Sequence, residues 1–143
     1  MTDDIGADEY GDKDVLGIMD GFRENADSWR DLLRSLKKRG LTIAPDLACG
    51  DGALGFWTAL RDVYPTTKAQ RCWVHKMANI TGAMPKPMHE KAKAGLQDIW
   101  MAETKKEANA TFDLFVETYG VKYEHAVKKL TKDRDVLLTF YDF

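Results

Sequence analysis

At 143 residues, 44% apolar and 31% charged, the chain is long enough for one domain with a buried core and has the balance of an ordinary globular protein. No apolar run approaches the roughly 18 residues of a membrane-spanning helix and no signal-peptide pattern opens the chain, so a cytoplasmic protein is expected. The net charge of −2 hides an asymmetry: residues 1–31 carry ten acids against three bases, a net of −7 that leaves +5 on the remainder, which is compatible with phosphate contacts but is not the balance of a dedicated basic DNA-binding module.

Residues 1–4 read as a frayed end. Residues 5–13 are broken by Gly6 and Gly11 and suit a strand end and a hairpin turn, in which Asp8 and Glu9 are read as solvated in preference to metal-binding. Val15, Leu16, Ile18 and Met19 predict a buried strand within 14–21. Asn25 is the expected N-cap of a helix, with Asp27 in its first turn. Its apolar face is Trp29, Leu32, Leu33 and Leu36, and Gly40 closes it. The basic run Lys37, Lys38 and Arg39 at its end is most simply a partner of the helix dipole and a solvated terminus, with DNA contact as the alternative.

Pro45 is disfavoured inside a central strand, so the next strand is placed at 46–49. It leads to Gly50-Asp51-Gly52. A carboxylate at a strand tip is where a divalent metal is commonly held, and the flanking glycines let the backbone turn beside it, although the tripeptide alone is more often a plain turn. Leu54, Trp57, Leu60 and Val63 predict a helix over 53–64, with Trp57 in the core, ended at Tyr64-Pro65. Residues 68–74 read as a strand, polar at first and apolar after Arg71, with His75 following. Strand–helix–strand order favours a parallel crossover, which would bring His75 to the edge where Asp51 lies.

Cys49 and Cys72 are too few for a disulfide framework, and a reduced pair at the ends of neighbouring strands is the default. Cys72-x-x-His75 has zinc-like spacing, but a structural zinc site needs four ligands and only one such pair exists. As nucleophile and base the two would sit at odd spacing on a strand, facing opposite sides. Beyond Met77 the chain turns helical. Pro85 and Pro87 mark a loop, and helices are predicted over 88–101, from Thr104 (with capping-box spacing to Glu107) to Gly120, and within 123–142. The residues by themselves give an α/β core followed by a helical subdomain.

The string Gly50-Asp51-Gly52-Ala53-Leu54-Gly55-Phe56-Trp57, then Tyr64-Pro65, then Gln70-Arg71-Cys72-Trp73-Val74-His75-Lys76, resembles the Mutator-type transposases of bacterial insertion sequences, and the resemblance runs from about Gly6 to Phe143. It implies a partial RNase H-like core, a mixed sheet with flanking helices, over residues 1–80, and an all-helical insertion block over 81–143. It implies DNA cleavage and strand transfer by phosphoryl transfer with Mg2+ (or Mn2+) and makes Asp51 the second member of an Asp-Asp-Glu triad that fixes two ions about 4 Å apart. Cys72 and His75 become a family signature near the site. Lys37, Lys38, Arg39, Arg71 and Lys76 become candidate contacts to DNA, the transposon ends and target, and a nucleoid location follows. The first Asp and the Glu have no counterpart, so the chain reads as an internal piece with an open sheet edge, prone to associate with itself or with an intact transposase. The alternatives are a non-catalytic DNA- or transposase-binding fragment, and a small thiol enzyme using Cys72 and His75.

With one matching carboxylate of three, this polypeptide alone is expected to show no strand transfer. Incubation with magnesium and end-labelled DNA checks this, and cleavage that disappears in Asp51→Ala would refute it.

Overall fold

The computed structural model describes residues 2–7, 10, 13–19, 25–52 and 54–143, with the side chains of 2–5, 14–19 and 54 left aside. They form two compact units, one built from Met1–Ala48 and Gly52–Lys68, the other from Cys49–Asp51 and Ala69–Phe143.

In the first unit, β1 (Thr2–Ala7) pairs antiparallel with β2 (Lys13–Met19), Thr2 opposite Met19 and Ala7 opposite Lys13, with a register shift between Asp4 and Ile5. The strand thus begins at Thr2, where the sequence suggested a frayed end. The readings placed on Asp8, Glu9 and Gly11, and on the side chains of Val15, Leu16, Ile18 and Met19, lie outside the described residues. Helix α1 (Ala26–Lys38) starts as its cap dictates, since the Asn25 side chain accepts from the Ser28 N–H at 2.8 Å. Trp29, Leu33 and Leu36 are buried on one face and Leu32 is half-buried. Gly40, at φ +126°, takes the backbone into a region that side chains disfavour, so the chain can leave the helix there.

Helix α2 (Leu54–Val63) packs on α1 and buries Trp57, Ala59, Leu60 and Val63. Phe56 stands edge-on to both Trp29 and Trp57, with ring centroids 4.9 and 4.8 Å apart. The connections are tied by side chain to backbone: the Tyr64 hydroxyl donates to the Leu41 carbonyl at 2.7 Å, and Thr67 to that of Pro45 at 2.6 Å.

Strands β3 (Leu47–Gly50) and β4 (Lys68–Arg71) form the second two-stranded sheet. Lys68 N donates to Asp46 O and Cys72 N to Gly50 O, so both partners advance by four residues together and the pair is parallel. The expected strand over 68–74 stops at Arg71. Residues Trp73–Thr81 are helix α3 instead, because Trp73, Met77 and Ile80 follow the helical period and face the core.

The remaining helices belong to the second unit: α4 (His89–Trp100), α5 (Lys105–Tyr119), α6 (Glu124–Thr131) and α7 (Arg134–Leu137), with 3₁₀ turns at Lys86–Met88 and Thr139–Asp142. Ile80, Leu96, Ile99, Phe112, Leu130 and Leu137 are its most deeply buried large side chains. Helices α4 and α5 approach closely at Gly95, where a Cβ would lie 3.0 Å from the Phe115 ring. Thr104 caps α5 by accepting from Glu107 N at 3.1 Å. The Arg134 guanidinium lies 4.4 Å from the Phe112 ring centre and donates to Asn109 and Asp113.

The fold is α/β in content and predominantly helical. Among the described residues the strands form two separate pairs, not one mixed sheet.

Truncating the fully buried Leu96 to Ala should remove about 3 kcal/mol of stability in urea unfolding. Thr104→Ala should remove about 1 kcal/mol, because only one helix-terminal N–H loses its partner.

Candidate functional site

The site grows from the end of β3. The strand delivers Asp51 as an exposed residue between Gly50 and Gly52, immediately past its last ladder residue. Parallel pairing with β4 brings the following residues of that strand alongside. Cys72 N donates to Gly50 O at 2.7 Å, and the Arg71 guanidinium donates to the main-chain carbonyl of Asp51 at 3.0 Å. A fixed positive charge therefore stands beside the Asp51 backbone. Asp51, Arg71 and Cys72 meet at one strand edge of the second unit.

Cys49 and Cys72 are free thiols that interact with each other. The Cys49 thiol is pushed above its ordinary pKa, first by partial burial of its sulfur and then by the neighbouring Cys72.

Cys72 is the N-cap of α3, and His75, exposed, is the third residue of that helix. The two therefore do not face opposite sides of a strand, contrary to the expectation from a strand over 68–74. On a helical turn, positions three apart are neighbours. The opening turn of α3 carries no acidic side chain, and the Cys72 side chain makes no capping hydrogen bond.

Lys76 departs from the expected DNA-facing role. Only 7% exposed, it is ion-paired with Asp133 and also donates to the Lys129 carbonyl at 2.9 Å. Its position three residues after Trp73 turns it inward, onto the face of α3 that packs against α6. Of the other candidate bases, Arg71 stands at the Asp51 edge and the remaining three belong to the first unit. Lys37 is exposed, reaches the Val63 carbonyl at 3.4 Å and lies 5.6 Å from the centre of the Tyr64 ring. Lys38 and Arg39 are exposed at the end of α1.

Sequence reasoning attached no role to Gln70, which is buried in β4. Period-2 alternation from the exposed Lys68 places Gln70 on the same side, so nothing local marks it as internal. Its only signal is that it is a neutral amide in a short strand that carries a base at each end, Lys68 and Arg71. Among the described residues no group of three or more His, Cys, Asp or Glu side chains converges on a point that could hold a metal ion.

A family model described as "Transposase, Mutator family" matches residues 4–143. The chain is 53% identical over 139 residues to the transposase for insertion sequence element IST2 of Acidithiobacillus ferrooxidans, covering 97% of this chain and 47% of that protein. It is 50% identical to the transposase for IS6120 of Mycolicibacterium smegmatis, with 97% and 43% covered, and 32% identical to that for IS1201 of Lactobacillus helveticus, with 97% and 37% covered. The chain spans less than half the length of these relatives.

Because its pKa is raised, Cys49 holds less thiolate than an ordinary cysteine at any given pH near neutrality. Alkylation of Cys49 should therefore reach half its maximal rate at higher pH than that of a model thiol, and Cys72→Ala should shift the midpoint part of the way back, as mass spectrometry of the labelled peptides will show. Lys76→Met should cost about 3 kcal/mol in urea unfolding by leaving Asp133 without its partner.

Proposed function

The chain belongs to the Mutator family of transposases, and on that premise we propose that it is part of a DNA transposase in which Asp51 is one of the carboxylates serving phosphoryl transfer. The observation that carries this reading is the position of Asp51, exposed at the open end of a parallel strand with the Arg71 guanidinium on its own main chain. Strand ends are stiff, so a carboxylate there can be held in one place while a charged substrate approaches from solvent.

A hard divalent ion such as Mg2+ (or Mn2+) takes about six oxygen ligands. One carboxylate does not supply them, and no metal-binding cluster exists among the described residues. The described residues on their own do not fit the ion. Asp51 contributes a single ligand, and the others come from outside the described residues. What this chain does itself is narrower: β3 presents the carboxylate, Gly50 and Gly52 leave its surroundings unobstructed, and Arg71 offers positive charge to a phosphate arriving at the strand end.

In the same reading β3, α2 and β4 are a parallel piece of an RNase H-like core, the β1–β2 hairpin is its antiparallel piece, and residues 81–143 are a helical insertion. DNA, as transposon end and target, is the partner, in the cytoplasm and on the nucleoid. No helix among the described residues is long and apolar enough to cross a membrane. The exposed basic end of α1 also favours a second reading, DNA binding without chemistry. Self-association, or pairing with an intact transposase, belongs to that alternative.

Two measurements separate the readings. Mn2+ titrated into isotope-labelled chain should broaden the Gly50 and Gly52 amide signals, and Asp51→Asn should abolish the effect. Equal broadening in the variant would overturn the ligand role. Binding of an insertion-sequence end duplex should weaken with salt, and replacing Lys38 and Arg39 together by Ala should lower the log–log slope by about two, one for each phosphate no longer neutralised. Affinity retained in Asp51→Asn together with no manganese effect would leave only the binding reading.

A further inference from the structure

Gln70 is 4% exposed, and its side-chain amide is fully engaged. Nε2 donates to the carbonyl of Leu137 at 2.8 Å and to that of Arg71 at 2.9 Å, while Oε1 accepts from Phe140 N at 2.9 Å. Turning the amide over would aim its oxygen at two carbonyls and its NH2 at an N–H, so only one orientation is satisfied. The partners are groups that backbone geometry leaves orphaned. Leu137 is the last residue of α7, and Phe140 N lies in the first turn of the 3₁₀ segment Thr139–Asp142. Gln70 thus caps the end of one short helix and the start of the next turn at once. Trp73 Nε1 donates to the same Leu137 carbonyl at 2.9 Å.

The other end of this linkage is the Asp51 edge. The two residues after Gln70 make the contacts to β3, Arg71 to the Asp51 carbonyl and Cys72 to the Gly50 carbonyl. Successive strand residues point to opposite faces, so fixing the Gln70 side chain inward fixes the direction in which Arg71 leaves the strand. All of these residues lie in the second unit.

We propose that Gln70 is a positioning residue for the Asp51 strand end, coupling the 137–140 backbone to the register of β4 against β3. The consequence for chemistry rests on the Asp51 reading above. The coupling does not, and it is tested without reference to activity.

The reporter is the Cys72 amide, whose hydrogen bond to Gly50 O closes the strand pair. Its exchange with deuterium is followed by NMR in the full chain, with the amides of α4 and α5 as internal reference. Gln70→Met keeps the side chain's length and bulk and removes all three hydrogen bonds. The Cys72 amide should exchange about tenfold faster in this variant, while α4 and α5 amides change far less. Thr104→Ala, which weakens α5 at its cap, should leave the ratio between the Cys72 and α4 amides as in the parent. If Cys72 in Gln70→Met keeps its protection, or loses it only in step with α4 and α5, the proposal is overturned. Trp73→Phe removes one donor to the same carbonyl and keeps a ring in place. It should shift Cys72 in the same direction by less, and it decides the matter by the same criterion should Gln70→Met not fold. The manganese effect at Gly50 and Gly52 reads Asp51 independently, so loss of one result leaves the other standing.

Discussion

A polar group taken out of water has to find its partner inside the protein or destabilise the fold. In the second unit, three such groups, Gln70, Trp73 Nε1 and Lys76, find theirs on one stretch of chain between Lys129 and Phe140. They stand three residues apart, one on β4 and two on α3, and their requirements set how that strand and helix lie against α6 and α7. The apolar core of Ile80, Leu96, Ile99, Phe112 and Leu130 supplies most of the stabilisation through burial. Apolar contact is tolerant of small rotations, whereas these hydrogen bonds are not, so the polar set specifies the arrangement that the core only favours.

The first unit is organised differently. Its helices are joined by an aromatic group, Trp29, Phe56 and Trp57, and by a surface ion pair from Arg30 to Asp62, while Arg30 also pairs with Asp27 within α1. The exposed pairs add little. The Trp29 indole N–H is buried and has no hydrogen-bond partner among the described residues, with the Phe56 ring edge-to-face beside it. Shape and area hold this pair of helices, and the hydroxyls of Tyr64 and Thr67 fasten the loops to them.

What could be read from the sequence was what depends on near neighbours. Asn25 and Thr104 cap the helices they were expected to cap, because an N-cap needs only the residue three places on. Gly40 sits where a left-handed residue is required, and Trp57 is in the core. Asp51 stood out because its motif is long and its flanking glycines have a local meaning. Helix α3 was hidden because Cys72 offers no side-chain cap and Trp73-Val74 looks like a strand continuing from Arg71. Lys76 was misread because a lysine beside a histidine in a motif suggests a solvated charge, and its partner Asp133 lies 57 residues away. Gln70 was invisible for the same reason, its partners lying up to 70 residues downstream. The separation of the strands into two pairs depends on long-range pairing that periodicity does not encode.

That long separation gives the molecule a history as well as a shape. As the polypeptide leaves the ribosome, residues 70–76 emerge well before residues 129–140 exist to receive them. Until then the groups that Gln70, Trp73 Nε1 and Lys76 will offer to that stretch stay hydrated, and α3 can settle on α4 but not on α6. The signature segment beside Asp51 is therefore among the last parts of the second unit to be set in place. Its maturation waits on the synthesis of α6 and α7, so a nascent chain halted before them carries the Asp51 motif without the frame that holds it.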